Sequence, residues 1–402
     1  MQRRFILAPL FAAVLIAACG GASSAPPPTP SPAPTPAPSK EIVIAPGAPI
    51  TIGLSVALSG DQQAIGQDIA DAADLSLADF GGSIKGHQVV TSRKDDGCAN
   101  PEMAVSVAHA FIATEGLAGV IGPMCTTGAQ AADAVYEAAH VIHISPSVTR
   151  DELSQQGEQY FFRASWRDDQ QATVQAHYAY DDVQAKTAFL IDDGRPYGKG
   201  LLKTFTDEYR SLGGKVAATE RIAPGTNDFR TLAQQIVAAN PDLVLFEGMN
   251  PEAALLVKEL AAQSYTGHFM APDSVFSVHD FIEPAGTAAE GAIVSAGPLP
   301  DLAFLGKFHD RFQRYPGTPF VLESYSAMTA LLKAIDSTAT TDGSGALHID
   351  RARLARQMHA TKMLSVTGVL AFDEHGDRAG DQPADVGIAV YRVASGQFTR
   401  ER

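Results

Sequence analysis

From Ile50 onward, short runs rich in β-branched and apolar residues alternate with longer stretches of helical periodicity. "ITIGLSVALSG" has strand character, and "GQDIADAADLSLADF" after it places Ile69, Ala72, Ala73 and Leu77 on one helix face. "HQVVTSRKDD" is the next strand. "PEMAVSVAHAFIAT" is the next helix, opened by a proline in its first turn. "LAGVIGP", "TTGAQAADAVYEAA" and "HVIHISPS" continue the series. After a polar interval it resumes with "KTAFLIDD", "GKGLLKTFTDEYRSLG", "KVAATERI", "DFRTLAQQIVAAN", "DLVLFEG", "PEAALLVKELAAQ" and "HFMAPD". Strands separated by helices require right-handed crossovers and parallel sheets covered on both faces. The fold class is therefore α/β, with doubly wound parallel sheets. The units are too many for one ordinary open sheet, so two lobes are expected.

The polar stretch Arg163 to Asp169 marks one boundary and "SAGPLPD", Ser295 to Asp301, a second. The helices "LAFLGKFHDRFQRY" and "FVLESYSAMTALLKAIDST" can then return to the first lobe. The expected division is 48–167 with 298–367 for lobe 1, and 168–297 with 368–398 for lobe 2. No close internal repeat is visible, so any symmetry between the lobes is structural.

The first residues stand apart. Arg3 and Arg4 precede an apolar run from Phe5 to Ala18, of signal-peptide rather than membrane-spanning length. "LIAAC" looks like a bacterial lipobox, which makes 1–18 a signal peptide and Cys19 the lipidated N-terminus; the plainer reading is an ordinary cleaved signal with Cys19 lost. Residues 19–47 are rich in Pro, Ala, Ser and Thr and cannot bury a core. At about 3.1 Å per residue in polyproline II, about 17 of them would hold the body about 50 Å from a membrane. The expected protein is exported, periplasmic or at the cell surface, and anchored by lipid to a bacterial membrane. No later segment has the apolar length of a span, so the body is expected to be soluble.

Charge excludes some partners. With 45 acidic and 30 basic residues the net charge is −15, which argues against nucleic acid or an anionic membrane surface.

In parallel sheets ligands gather at the carboxyl ends of strands. Cys98 and Cys125 both follow such ends. If those strands are neighbours, the two cysteines can form a disulfide in an oxidising compartment. The competing reading is a catalytic Cys125 thiolate, activated by a helix N-terminus and His143. Thr126 and Thr127 precede a helix start, where a hydroxyl caps an N–H and the remaining N–H groups favour an anion such as a carboxylate. Ser147 and Thr149 in "SPSVTR" offer further hydroxyls, which ordinary turn chemistry also explains. Asp273 in "FMAPDSV" suits an ammonium group, or a helix cap.

Other patterns fail. "GRPYGKG" misses phosphate-loop spacing, with Gly200 where Ser or Thr is required. His140 and His143 fall on a strand at odd spacing and face opposite sides. Asp95 with Asp96, and Asp192 with Asp193, are expected in solvated loops. No metal or cofactor is expected.

Over about Ile50 to Arg392 the chain resembles the leucine/isoleucine/valine-binding proteins of ABC transporters, type I periplasmic binding proteins. "ALSGDQQAIGQD", "GGSIKGHQVV", "DDGCANPEMAV", "GVIGPMCTTGAQAA", "ISPSVT", "FFRASWRDDQQ", "DDGRPYGKGL", "DFRTLAQQI", "EGMNPEAA", "FMAPD", "AAEGAIV" and "FDEHGD" match in order. The resemblance implies two lobes joined by three crossovers, a ligand closed between them, and a Cys98–Cys125 disulfide. It places a ligand carboxylate against Thr126, Ser147 and Thr149, and an ammonium against Asp273, with Tyr197 near the cleft. Ile65 and Met249 stand where an aromatic residue often lines the pocket. The implied protein is a monomeric, non-enzymatic substrate-binding lipoprotein that delivers an amino acid or related small amphiphile to a membrane permease. A sensor or envelope-assembly lipoprotein of the same fold, and more distantly a thiol hydrolase using Cys125, are the alternatives.

Overall fold

The computed structural model describes residues 40–380 and 383–402; residues 1–18, Cys19 and most of the Pro-rich stretch lie outside the described residues. β1 (Ile50–Val56) is buried at every position, as a strand covered on both faces must be. It is followed by α1 (Gln63–Phe80), β2 (Ser83–Ile84), β3 (His87–Asp95), α2 (Pro101–Ile112) and β4 (Leu117–Ile121). Then come α3 (Thr126–Ala138), β5 (His143–Ser145) and β6 (Phe161–Arg163). These strands form a sheet of order β2-β3-β1-β4-β5-β6. All neighbours are parallel except the short β2.

The second series is α4 (Asp168–His177), β7 (Thr187–Asp192), α5 (Pro196–Ser211), β8 (Lys215–Arg221) and α6 (Arg230–Ala239). β9 (Leu243–Glu247), α7 (Asn250–Ala262), β10 (His268–Ala271) and β11 (Ile293–Ala296) complete its parallel part. The last strands, β12 (Ala389–Ala394) and β13 (Gln397–Arg400), add antiparallel, giving the order β13-β12-β11-β10-β9-β7-β8. Along β9, Val244 and Phe246 enter one apolar cluster while Leu243 and Leu245 enter another, so both faces of this sheet are covered.

Between β11 and β12 the chain contributes α8 (Leu302–Phe312), α9 (Val321–Thr338) and α10 (Arg351–His359). α9 returns to the first sheet: Leu331 and Ile335 share a core with Ile52 and Ile69, and Ser324 Oγ donates to the Ile69 carbonyl at 2.7 Å. The chain thus passes between the sheets three times, near residues 164–167, 297–301 and 373–388. Buried polar bonds tie these passages together. Arg163 Nε donates to Asp377 Oδ1 at 2.7 Å, and Gln171 Nε2 to Ser295 Oγ at 2.9 Å. No helix among the described residues is long and apolar enough to cross a membrane.

Candidate functional site

In each sheet the second parallel strand is laid on one side of the first and the third on the other: β3 and β4 flank β1, and β8 and β9 flank β7. The connections leaving β1 and β4, and likewise β7 and β9, therefore diverge and open a crevice at the carboxyl edge. Four helices begin at these two crevices: α1 and α3 in the first half, α5 and α7 in the second. The crevices face each other across a cleft of about 400 Å³ counted out to solvent. Ile65, Thr126, Ser147, Tyr197, Met249 and Asp273 all line it. Thr149 is fully buried and outside that wall, its Oγ1 without a hydrogen-bond partner beside the Asp168 carboxylate.

The first-half wall differs from expectation in detail. Cys125, not a threonine, is the N-cap of α3; Thr126 and Thr127 are its first helical residues, and no side chain caps it. The N–H groups of that first turn remain directed out of the helix end, where an anion is favoured. Ser147 Oγ is engaged with the Met124 carbonyl at 2.7 Å, tying its loop to the one that opens α3. Cys98 and Cys125 form a disulfide with their Cα atoms 5.1 Å apart. That removes the Cys125 thiolate. The strands preceding the two cysteines are not neighbours, however: β1 lies between β3 and β4. The loop after β3 folds over the end of β1, its Asp96 N–H donating to the Val56 carbonyl, and so reaches Cys125. Close approach on the other side requires Gly122, where φ is 112° and a Cβ would fall 2.1 Å from the Ser55 carbonyl oxygen.

Tyr197 and Met249 open α5 and α7. Gly198 lets α5 pack down on β9, since a Cβ there would lie 2.3 Å from the Glu247 carbonyl oxygen. Tyr197 Oη donates to Asp273 Oδ1 at 2.7 Å, and Asp273 is only 2% exposed. Burial lifts the Asp273 carboxyl to about 6, opposed by hydrogen bonding from Tyr197 and Gln171. Arg150 Nη1 donates to the Pro196 carbonyl at 2.7 Å, a direct bond from the first half to the start of α5.

Several residues escaped the sequence reading. Phe320, the N-cap of α9, takes a left-handed backbone (φ 72°), lines the cleft and stacks on Trp166 with ring centroids 5.3 Å apart. Glu247 ends β9 fully buried, with neither carboxylate oxygen hydrogen-bonded. Asp168, first residue of α4, has the same condition. A charged residue closing the apolar run "DLVLF" is a signal that could have singled out Glu247; Asp168 was hidden in a polar stretch read only as a boundary.

Other expectations need correction. Asp96, Asp192 and Asp193 are not in solvated loops but buried. Asp96 accepts from Ser55 Oγ and the Cys98 N–H, and Asp192 and Asp193 pair with Arg221 and Arg195. His140 lies in a turn with φ 53°, off the strand that holds His143. His143 does approach Asp133 and Glu137, all within 4.8 Å. Local structure already uses that group: His143 Nε2 meets Asp133 at 2.6 Å, and Glu137 accepts the Gln159 and Tyr160 N–H groups.

The family model described as "Periplasmic binding protein" matches residues 49–397. "Leu/Ile/Val-binding protein homolog 1" of Brucella suis biovar 1 (strain 1330) is 28% identical over 356 residues, 87% of this chain and 91% of the relative. The "Leu/Ile/Val-binding protein" of Escherichia coli (strain K12) is 28% identical over 343 residues, covering 82% of this chain and 88% of its own. Among solved structures, a leucine binding protein LivK from Thermotoga maritima superposes with a TM-score of 0.78 at 22% identity, over 88% of this chain and 98% of that one. A solute binding protein of an ABC transporter from R. palustris in complex with benzoate gives 0.75 at 19% identity, over 88% and 95%. The chain, with its two facing switch-point crevices, belongs to the periplasmic binding protein family, with the type I fold.

Proposed function

We propose that this chain is a non-catalytic capture protein of an ABC importer, taking an amino acid or related small amphiphile between two lobes. The observation that carries the reading is the opposition across one cleft of the α3 N-terminus, with Thr126, and the buried Asp273 carboxylate held by Tyr197. A zwitterion meets both only when the lobes are closed. Ligand binding would therefore favour closure about the three passages. The names of the relatives, which speak of Leu/Ile/Val and of leucine, support an amino acid. The benzoate complex of another fold neighbour supports a wider set of carboxylates.

In this reading lobe 1 holds the first sheet and α8 to α10, and lobe 2 holds the second sheet. We place the end of the first lobe's share at Phe372 rather than at residue 367, a reading supported by the pairing of Gly368–Ala371 with Lys362–Ser365 and by Leu370 and Phe372 in the first core. Ile65 and Met249 add aliphatic surface to a pocket that Tyr197 and Phe320 also line. Cys19 supplies the lipid anchor, the Pro-rich stretch the tether, and a membrane permease receives the ligand from a monomer. Calorimetric titration with the twenty amino acids, alongside Asp273→Ala, tests this. Binding by the wild type, weakened by the substitution, is expected; affinity unchanged by it would remove Asp273 as the ammonium seat.

A further inference from the structure

The carboxyl edge of the second sheet carries four acids side by side. Asp192 and Glu247 are register partners on β7 and β9, Asp193 follows the first, and Asp273 follows β10, which neighbours β9. Adjacent strands lie about 4.8 Å apart, so these groups share one field. Two have counter-charges: Asp192 pairs with Arg221 and Asp193 with Arg195. Glu247 and Asp273 have none. Among the described residues neither Glu247, Asp273 nor Asp168 forms an ion pair, and Arg163 and Arg150 are committed elsewhere, to Asp377 and Glu152.

Their environment asks for a cationic donor. Both oxygens of Glu247 and both of Asp168 are buried without a hydrogen bond. Gln175, 0% exposed, approaches Glu247 with both amide atoms unpartnered, and Asn250, 1% exposed and next to Met249, is likewise unpartnered at both. Native proteins rarely leave so many buried polar atoms unmet in one place unless a ligand, ion or water completes them. Burial, then the Asp273 and Asp168 carboxylates, push Glu247 well above the ordinary range, so a positive group placed there relieves both penalties.

A single α-ammonium neutralises Asp273 and leaves Glu247 unpaired. A divalent metal fits poorly, because the only three-ligand group within 4.8 Å among the described residues is the distant Asp133, Glu137 and His143. Separate nitrogens answer separate carboxylates: Asp273 lines the cleft, and Glu247 ends the neighbouring strand, fully buried behind that lining. We propose that the ligand carries two cationic nitrogens, one on Asp273 and the second on Glu247 with help from Asp168, Gln175 and Asn250. This makes the substrate class a small dibasic amino acid or similar diamine, and it rests on the capture reading above.

The test is calorimetry on the full chain, treated with chelator, using leucine, 2,4-diaminobutyrate, ornithine, lysine and arginine as probes on wild type and Glu247→Gln. At least one dicationic probe is expected to bind wild type about tenfold or more tighter than leucine. Glu247→Gln should erase that margin while leaving leucine within about threefold. The wild-type comparison stands even where the variant misfolds. Leucine binding tighter than every dicationic probe, a margin that survives Glu247→Gln, or a margin that appears only with added Ca²⁺ would overturn the proposal and leave the capture reading intact. Failure of all five probes would overturn the dibasic proposal, while the capture reading falls only if the titration with the twenty amino acids fails as well.

Discussion

Tyr197 Oη donates to Asp273 Oδ1 at 2.7 Å, joining the first turn of α5 to the end of β10 inside the cleft. The bond orients the carboxylate toward the cleft that Asp273 lines. Asp273→Ala is expected to lower affinity for an ammonium ligand about a hundredfold, since it removes one member of a desolvated charge pair. Tyr197→Phe, which only loosens the carboxylate, should cost about tenfold. Calorimetry on both variants would separate the roles, and equal losses would contradict them.

Burial raises Asp273 to about 6 and Glu323 to about 7. Both folded values exceed those of the unfolded chain, so the folded protein holds these protons where the unfolded chain has released them. Their contribution to stability is full below about pH 4 and is lost as pH rises through 6 and 7. The ligand-free protein should therefore lose thermal stability over this window. An ammonium ligand needs ionised Asp273, so its affinity should rise over the same interval and level off above it. Melting curves and titrations from pH 5 to 8 check both slopes.

Arg150 bonds the Pro196 carbonyl from across the cleft. Arg150→Ala removes this inter-half contact while leaving Glu152 exposed to water. Affinity is expected to fall roughly tenfold with little change in unfolding free energy. Small-angle scattering should show the ligand-free variant more open than wild type; identical curves and affinities would rule out a role in closure.

The Cys98–Cys125 disulfide closes 27 residues of sequence. On the chain-entropy model its loss as the double serine variant should cost about 3.5 kcal/mol. Chemical denaturation measures it, and because the bond frames the α3 N-terminus, ligand affinity should fall as well.

Asp377 pins the first passage to the third through the fully buried Arg163. Asp377→Ala strands that guanidinium and should destabilise the protein by about 3 to 5 kcal/mol. A shift in denaturation midpoint reads the effect; a neutral outcome would mean that the Val148 and Arg150 carbonyls and Ser154 suffice for Arg163.

The elements were legible because short β-branched apolar runs and helical periodicity are local properties of the chain. β1, α2, β4, β9 and α7 fall where those patterns lie, and the cysteines on matching loops pointed to their disulfide. The cleft residues at helix starts, Thr126 and Asp273 among them, stood out because polar groups after apolar strands are locally visible. Strand order was not: that β1 sits between β3 and β4 follows from long-range pairing, which no spacing records.

The amino-acid sequence by itself thus determined the α/β class, two sheets and the side chains available at strand ends. Only the tertiary structure decided which ends meet. Asp192 and Asp193 look like Glu247 in sequence, yet the first two find arginines and the third finds none. A carboxylate's charge state and usefulness depend on the groups packed around it in space, and those come from distant parts of the chain.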